Sequence, residues 1–283
     1  MTMAHTTGEG DQLSASDRSA GHRRGPQRPL VVIPALNEER SLPAVLRELR
    51  EHHPHVDVLV IDDGSRDRTA AAARASGAPV LRLPFNLGVG GAMRTGYRYA
   101  ERGGYDAVVQ VDADGQHDTT YLGTLLDGLR DSDIVIGARF AGAGDYEAGR
   151  GPRRWAMLLL GTALSRLAGT RLTDTTSGFR AAGSHAIAVF ARHYPAEYLG
   201  DTVESLVIAL RSGCTVRQEP VVMRPRTAGQ ASQTPLRSAV YLLRAVVALG
   251  LALIRHWAPV STPPVAETAE PAAGDGDEEV RVA

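Results

Sequence analysis

VDVLVIDDGSRDRTAAAARASG, residues 56–77, contains a strand, a turn and a helix in one run. Five of the opening seven residues are apolar, four of them β-branched, and Val58 to Ile61 run without a break, as a strand covered on both faces requires. Asp62, Asp63, Gly64 and Ser65 follow at its carboxyl end. The segment 66–77 then reads as an alanine-rich helix that stops at Gly77, where a left-handed cap is easiest for glycine. One strand feeding one helix through an acidic turn is the unit of a parallel sheet.

The same unit recurs on both sides. Upstream, LVVIPA (30–35) reads as a strand, and Ser41 is a candidate N-cap for a helix with Leu42, Val45, Leu46 and Leu49 on one face. Downstream, PVLRL (79–83) is a short strand, 88–104 a helix with a glycine-rich start, DAVVQVD (106–112) a strand, 120–130 a helix and DIVIGAR (133–139) a strand. Strands alternating with helices at this spacing predict an α/β fold with a Rossmann-like, doubly wound, mostly parallel sheet. No internal repeat appears. In such sheets ligands bind beyond the carboxyl ends of the strands, and the acidic motifs fall at those ends.

Composition sets limits. At 283 residues with 43% hydrophobic residues the chain can bury a full core, and a net charge of −1 gives no basic field directed at nucleic acid. Segments 1–28 and 258–283 are poor in large apolar residues and are expected to be disordered, the second as an acidic tail. The first residues contain no apolar run of a signal peptide. Cys214 is the only cysteine, which excludes an intrachain disulfide and suits a buried thiol in a reducing cytoplasm.

QVDADGQHD (110–118) carries two carboxylates, Asp112 and Asp114, on a chain leaving a strand. Alone, an Asp-x-Asp pair is most often turn chemistry. Hard oxygen donors so spaced also suit Mg²⁺ or Mn²⁺, metals that usually hold substrate phosphates as well. Gln116 adds an oxygen; His117 is either a nitrogen ligand or an unligated loop histidine. The Asp62–Asp63 cluster at a second strand end strengthens the functional reading, since a carboxylate there can accept from a nucleobase or ribose. In NLGVGGA (86–92) glycines let backbone approach a ligand, and a helix N-terminus follows, which favours phosphate. The segment fits neither the Walker pattern nor the dinucleotide fingerprint.

IPALNEE, DDGSRDRT, NLGVGGA, QVDADGQHD, IGARF, DTTSGFR (174–180) and RPRTAGQAS (224–232) occur in that order. Together they resemble the family 2 glycosyltransferases of the GT-A fold over about residues 29–255. The last two blocks look most like the branch that loads a sugar onto polyprenyl phosphate, similar to dolichol-phosphate mannose synthases. The resemblance implies an inverting transfer from a nucleotide-diphospho sugar with a divalent metal. Carried onto this chain, Pro34, Asn37, Glu38, Asp62, Asp63, Asn86, Gly88 and Asp112 bind the donor. Asp112, Asp114 and Gln116 hold the metal, and Asp114, Arg139, Asp201 and Glu204 are the catalytic candidates. Arg139, Arg153, Arg154 and Arg226 are expected to meet an acceptor phosphate, for which the guanidinium fork is suited. Arg180 is equally readable as a support of the fold.

Two acceptor readings stay open. A phosphate monoester is already anionic and needs positioning and charge screening. A soluble or glycan hydroxyl needs a general base, which Asp201 or Glu204 would supply. Residues 153–169 mix arginines, Trp155 and a leucine face, as an interfacial helix does. Residues 235–257 form an apolar, amphipathic C-terminal helix whose uninterrupted run, Ala245 to Ile254, is far short of the roughly 18–20 residues needed to span a bilayer. The expected organisation is a GT-A domain over 29–234 followed by that helix, docking on the inner face of the cell membrane as a peripheral protein or on a second subunit as a homodimer.

Overall fold

The computed structural model describes residues 25–139, 161–195 and 201–225. Residues 1–24 and 258–283 of the expected end segments, Arg153, Arg154, Arg226 and the helix at 235–257 lie outside them; residues 25–28 are described, with the Gln27 and Arg28 N–H groups donating to the Asp106 carboxylate.

The strands are β1 (Pro29–Ala35), β2 (Asp57–Asp62), β3 (Val80–Arg82), β4 (Ala107–Gln110), β5 (Ile134–Ala138), β6 (Arg180–Gly183) and β7 (Val216–Pro220). They form one sheet in the order β3-β2-β1-β4-β6-β5-β7. The helices are α1 (Leu42–His52), α2 (Thr69–Ala75), α3 (Gly88–Arg102), α4 (Leu122–Gly128, entered through a 3₁₀ turn at Thr119–Tyr121), α5 (161–168), α6 (Ser184–His193) and α7 (Asp201–Arg211).

Period-two alternation divides the core. Leu30, Val32, Leu59, Ile61, Val108, Ile134 and Ile136 point to one face, against Met93 and Tyr97 of α3, Phe190 of α6 and Leu206 of α7. Val31, Ile33, Val60, Val109 and Val135 point to the other, against Leu42, Leu46 and Leu49 of α1 and Leu122 and Leu125 of α4. Both faces are covered, so the strands read as continuous apolar runs rather than alternating ones. Close packing is concentrated at Gly96 of α3, where a Cβ would stand 2.5 Å from Cγ1 of Val32.

The expected parallel sheet is present, with one antiparallel member: β6 lies between β4 and β5 and runs opposite to both. Two local expectations are corrected. The second helix begins at Thr69 rather than near Arg66, because residues 66–68 are spent on a bend held by Asp67, whose Oδ1 accepts the Thr69 N–H at 2.9 Å. Ser41 has helical angles and caps nothing; its hydroxyl instead donates to the Glu38 carboxylate.

Strand order explains where a ligand can enter. It counts down from β3 to β1 and then jumps to β4, which makes the β1/β4 boundary the switch point and opens a crevice beyond their carboxyl ends. β4 ends at Gln110, opposite Val32, so the acidic loop leaves the sheet at that point. Because β6 runs the other way, the segment preceding it, 174–179, also lies at that end, with Arg180 paired to both Gln110 and Ile136.

Candidate active site

The loops after β1 and β2 are laced together. Asn37 has φ 57° and donates its N–H to Ser65 Oγ at 3.0 Å, while its Oδ1 accepts the Arg66 N–H at 2.9 Å. A short polar side chain that bonds locally is what lets a non-glycine residue hold this left-handed geometry. Next to it, the Glu38 N–H donates to Thr69 Oγ1 at 2.9 Å.

Asp62 and Asp63 face inward. Asp62 Oδ1 accepts the Ser65 N–H at 2.9 Å. Its Oδ2 has Arg82 Nε at 3.2 Å, a contact between charges whose N–H is not aimed at the oxygen. Asp63 accepts from Leu87 N (Oδ1, 2.7 Å) and Gly88 N (Oδ2, 2.8 Å), which ties the second strand end to the start of α3. Burial pushes the Asp63 carboxyl up, the two backbone donors pull it down, and neighbouring Asp62 adds to the rise; the net direction is upward. Between them Gly64, at φ 74°, lies so close to residues 85 and 86 that a Cβ would be 2.8 Å from the Phe85 carbonyl carbon. Asn86 is exposed and its Oδ1 also accepts the Gly88 N–H at 2.8 Å. Pro34, Asn37, Glu38, Asp62, Asp63, Asn86 and Gly88 therefore come together at the carboxyl ends of β1–β3, with the two carboxylates acting as staples for the loops.

The acidic loop is built just as tightly. Asp112 is half-buried; Gln110 Nε2 donates to its Oδ1 at 3.2 Å. Asp114 is buried and its Oδ1 accepts the Gln116 N–H at 3.0 Å, closing a turn through Gly115 at φ 78°. His117 is buried against Phe179, with ring centroids 4.8 Å apart. Gly178, distant in sequence, packs beside this loop and leaves room for the Gln110 amide that bonds Asp112. A Cβ there would be 3.0 Å from Gln110 Nε2 and 3.5 Å from each Asp112 oxygen.

Just after β5, Arg139 is paired edge-on with buried Asp174. Arg180 is buried and bolts two segments together. It donates to Thr175 O and Ser177 O on one side and to Thr202 O and Ser205 Oγ on the other. It supports the fold, and by doing so sets the first turn of α7 beside the 174–178 segment. That turn begins at Asp201 and carries half-buried Glu204. Below the loop, Arg224 donates its N–H to Gln116 O at 2.9 Å and its guanidinium to Glu48 and Asp118.

Sequence reasoning missed Arg82, Gly178, Asp174 and Arg224 as parts of this arrangement. Gly178 and Asp174 lie in a block that had been singled out, and the glycine among polar residues was the available signal. Arg82 gave none.

The donor set fits a hard divalent cation: two carboxylates and an amide at one loop, with a glycine keeping the space beside Asp112 clear. Among the described residues no group of three or more His, Cys, Asp or Glu side chains closes around one point, so a cation here would complete its shell with substrate oxygens and water. No described helix is long and apolar enough to cross a membrane.

Comparison with known proteins identifies the family and the fold. The family model for glycosyl transferase family 2 matches residues 30–206. The chain is 34% identical over 217 residues to the undecaprenyl-phosphate mannosyltransferase of Micrococcus luteus, covering 73% of this chain and 88% of that one. It is 35% identical over 183 residues to the polyprenol monophosphomannose synthase of Mycolicibacterium smegmatis, covering 62% and 68%. In fold it is similar to glucosyl-3-phosphoglycerate synthase of Mycobacterium tuberculosis, crystallised with Mn²⁺, UDP and glucosyl-3-phosphoglycerate; the TM-score is 0.59 at 22% identity, over 80% of this chain and 79% of that one. The doubly wound GT-A architecture expected from the sequence is the one found.

Proposed function

The chain belongs to glycosyl transferase family 2, and we propose that it moves a hexose from a nucleoside-diphosphate sugar to polyprenyl phosphate, with inversion and with Mg²⁺ or Mn²⁺ at the donor diphosphate. The observation that carries this reading is the position of Asp112 and Asp114. They leave β4 at the switch point of the sheet, with Gly178 beside Asp112. The names of the two relatives support the lipid acceptor. The Mn²⁺ and UDP held by the structural relative support the cation and a nucleotide donor.

In this reading Asn37, Glu38, Asp63, Asn86 and Gly88 border the nucleotide, and Asp112, Asp114 and Gln116 hold the cation. The cation, when bound, offsets the negative charge that develops on the departing nucleoside diphosphate. Arg139 presents its guanidinium to the acceptor phosphate, already fixed in orientation by Asp174. A phosphate oxygen is anionic at neutral pH and needs no proton removed, so Asp201 and Glu204 order the acceptor end rather than act as bases. Work at the cytoplasmic face of the membrane, with the segments at 153–169 and 235–257 as contacts, completes the proposal.

The test is a transfer assay. Purified protein is given radiolabelled UDP- and GDP-sugars, polyprenyl phosphate, and Mn²⁺ or Mg²⁺, with and without EDTA, and label extracted into organic solvent is counted. EDTA-sensitive lipid-linked label is the expected result. Donor binding without lipid-linked label from any sugar would overturn the lipid acceptor and turn attention to a hydroxyl, with Asp201→Asn as the probe of a base.

A further inference from the structure

His117 is the least expected residue of the acidic loop. It is buried and stacked on Phe179 at an interplanar angle of 17°, which any flat apolar ring would satisfy. Its nitrogens do something an apolar ring cannot. The Asp112 N–H donates to Nδ1 at 3.0 Å. A nitrogen that accepts carries no proton, which leaves Nε2 as the ring's N–H. Nε2 in turn faces the Asp112 carboxylate, 3.5 Å from Oδ2, a contact longer than a good hydrogen bond. One ring therefore grips the backbone of Asp112 and places an N–H beside its carboxylate.

The other oxygen is served from the opposite side. Gln110 Nε2 donates to Asp112 Oδ1 at 3.2 Å, and Gly178 leaves the space in which that amide and carboxylate stand. The ring itself cannot drift: Phe179 covers one face, and the backbone of His117 forms a β-bridge with Met223. Asp112 is thus held at its amide and at Oδ1, with the His117 ring beside Oδ2, while remaining partly open to solvent.

From this geometry we infer that His117 is a positioning residue. It is not itself a ligand; by holding the Asp112 amide at Nδ1 and standing against the carboxylate with Nε2, it sets where the Asp112 carboxylate faces a divalent cation. The inference rests on the proposed cation at Asp112 and Asp114. Groups that orient a metal-binding side chain commonly change metal affinity by about 10- to 100-fold when removed.

The experiment measures Mn²⁺ uptake by electron paramagnetic resonance in the presence of UDP and, separately, GDP, with thermal unfolding of the same samples. His117→Phe keeps the stack on Phe179 and removes both nitrogens. His117→Asn sacrifices the stack but keeps an oxygen acceptor within reach of the Asp112 N–H. A residue that merely packs would favour Phe over Asn. The positioning role requires the reverse: His117→Phe weakens Mn²⁺ binding about 10-fold or more, and His117→Asn binds at least about three-fold more tightly than His117→Phe. Equal Mn²⁺ affinity in wild type and both variants overturns the role of His117 and leaves the cation in place. No Mn²⁺ uptake by the wild type with either nucleotide removes the cation reading itself, and this inference with it. Should neither variant fold, ¹⁵N imidazole spectra of the wild-type protein with Mg²⁺ and nucleotide decide: an Nε2–H tautomer at His117 is expected, and an Nδ1–H tautomer overturns the inference.

Discussion

Arg139 meets Asp174 edge to edge: Nε lies 2.7 Å from Oδ2 and Nη2 lies 3.0 Å from Oδ1, with the same Nη2 reaching Thr176 Oγ1 at 3.1 Å. The two partners are unequal. The Asp174 side chain is 2% exposed and that of Arg139 36%. Removing the guanidinium leaves a buried carboxylate with only the residue-139 backbone N–H and the Thr176 hydroxyl as donors, whereas removing the carboxylate leaves a cation that reaches water.

Arg139→Met is therefore expected to cost roughly 3–5 kcal/mol at pH 7, and Asp174→Asn, which still accepts from the guanidinium, about 1–2 kcal/mol. Burial alone would raise the Asp174 carboxyl, but the hydrogen bonds and charge of Arg139 outweigh it and hold it below its ordinary value of 3.8. A depressed carboxyl contributes stability above its unfolded pKa and loses it as pH falls through the folded value. The gap between wild type and Arg139→Met should thus be full at pH 6–7 and narrow below about pH 4, as urea titrations at several pH values will show. Arg139→Lys keeps the charge and loses the two-point bond to Asp174 that orients it; it should raise KM for polyprenyl phosphate while donor affinity holds.

Arg224 makes a comparable clamp on the other side of the acidic loop. Its Nη1 lies 2.7 Å from Glu48 Oε2 and its Nη2 2.8 Å from Asp118 Oδ1. Burial pushes both carboxyls up; at Glu48 the bonds from Arg224 and Thr119, and at Asp118 those from Thr120 and Arg224, bring each below its usual value. Arg224→Met should cost about 1–2 kcal/mol at neutral pH, given that all three groups are partly exposed. The cost should shrink as pH falls below the ordinary carboxylate range. A loss that is unchanged at pH 3.5 would mean that Arg224 stabilises by packing its stem and not by charge.

Cys214 stands 3.8 Å from His185 Nδ1, which is itself 3.8 Å from Asp133 Oδ1. Both contacts fall on the same ring nitrogen, so the three groups do not form a nucleophile–base–acid relay. Burial, with a smaller effect of Asp133, pushes the thiol up to about 12. At pH 8 the native protein should react with a thiol reagent about 100-fold or more slowly than the unfolded chain, because almost no thiolate forms and access requires opening. Rapid native labelling would refute this; Cys214→Ala should leave transfer activity intact.

The first half of the chain was legible because each strand carries a local signal. β1, β2 and β4 are apolar runs ending in turn residues, and their order alone placed Asp112 and Asp114 at a crevice. The second half carries no such signal. β6 is RAAG, four residues without hydrophobic period, and β7 is VRQEP, a mostly polar segment at the sheet edge. Their placement is fixed by pairing with distant strands, not by their own residues. The same limit applies within the site. Asp62 and Asp63 could be read as ligand contacts, but not as staples, because their partners Arg82, Leu87 and Gly88 come from a neighbouring strand and helix. Ser41 misled for a local reason: the Glu38 carboxylate competes for its hydroxyl and wins.

Gly178 gives the sharpest test of how closely the site is packed. Its φ is not left-handed, so alanine fits the backbone and any effect comes from the space the added carbon takes. In Gly178→Ala the Cβ would sit 3.0 Å from Gln110 Nε2. The amide at the end of a flexible side chain can withdraw a few tenths of an ångström, at the expense of its bond to Asp112. Stability should fall by less than about 1 kcal/mol, while kcat/KM falls about 10-fold. Gly178→Val places further atoms where the Asp112 carboxylate now stands and should cost about 100-fold or more, the usual penalty for misplacing a site group by about 1 Å. Thermal unfolding and transfer kinetics at saturating Mn²⁺, run on the same preparations, separate the two effects. A folded Gly178→Val protein with wild-type turnover would show that Asp112 has no fixed position to lose.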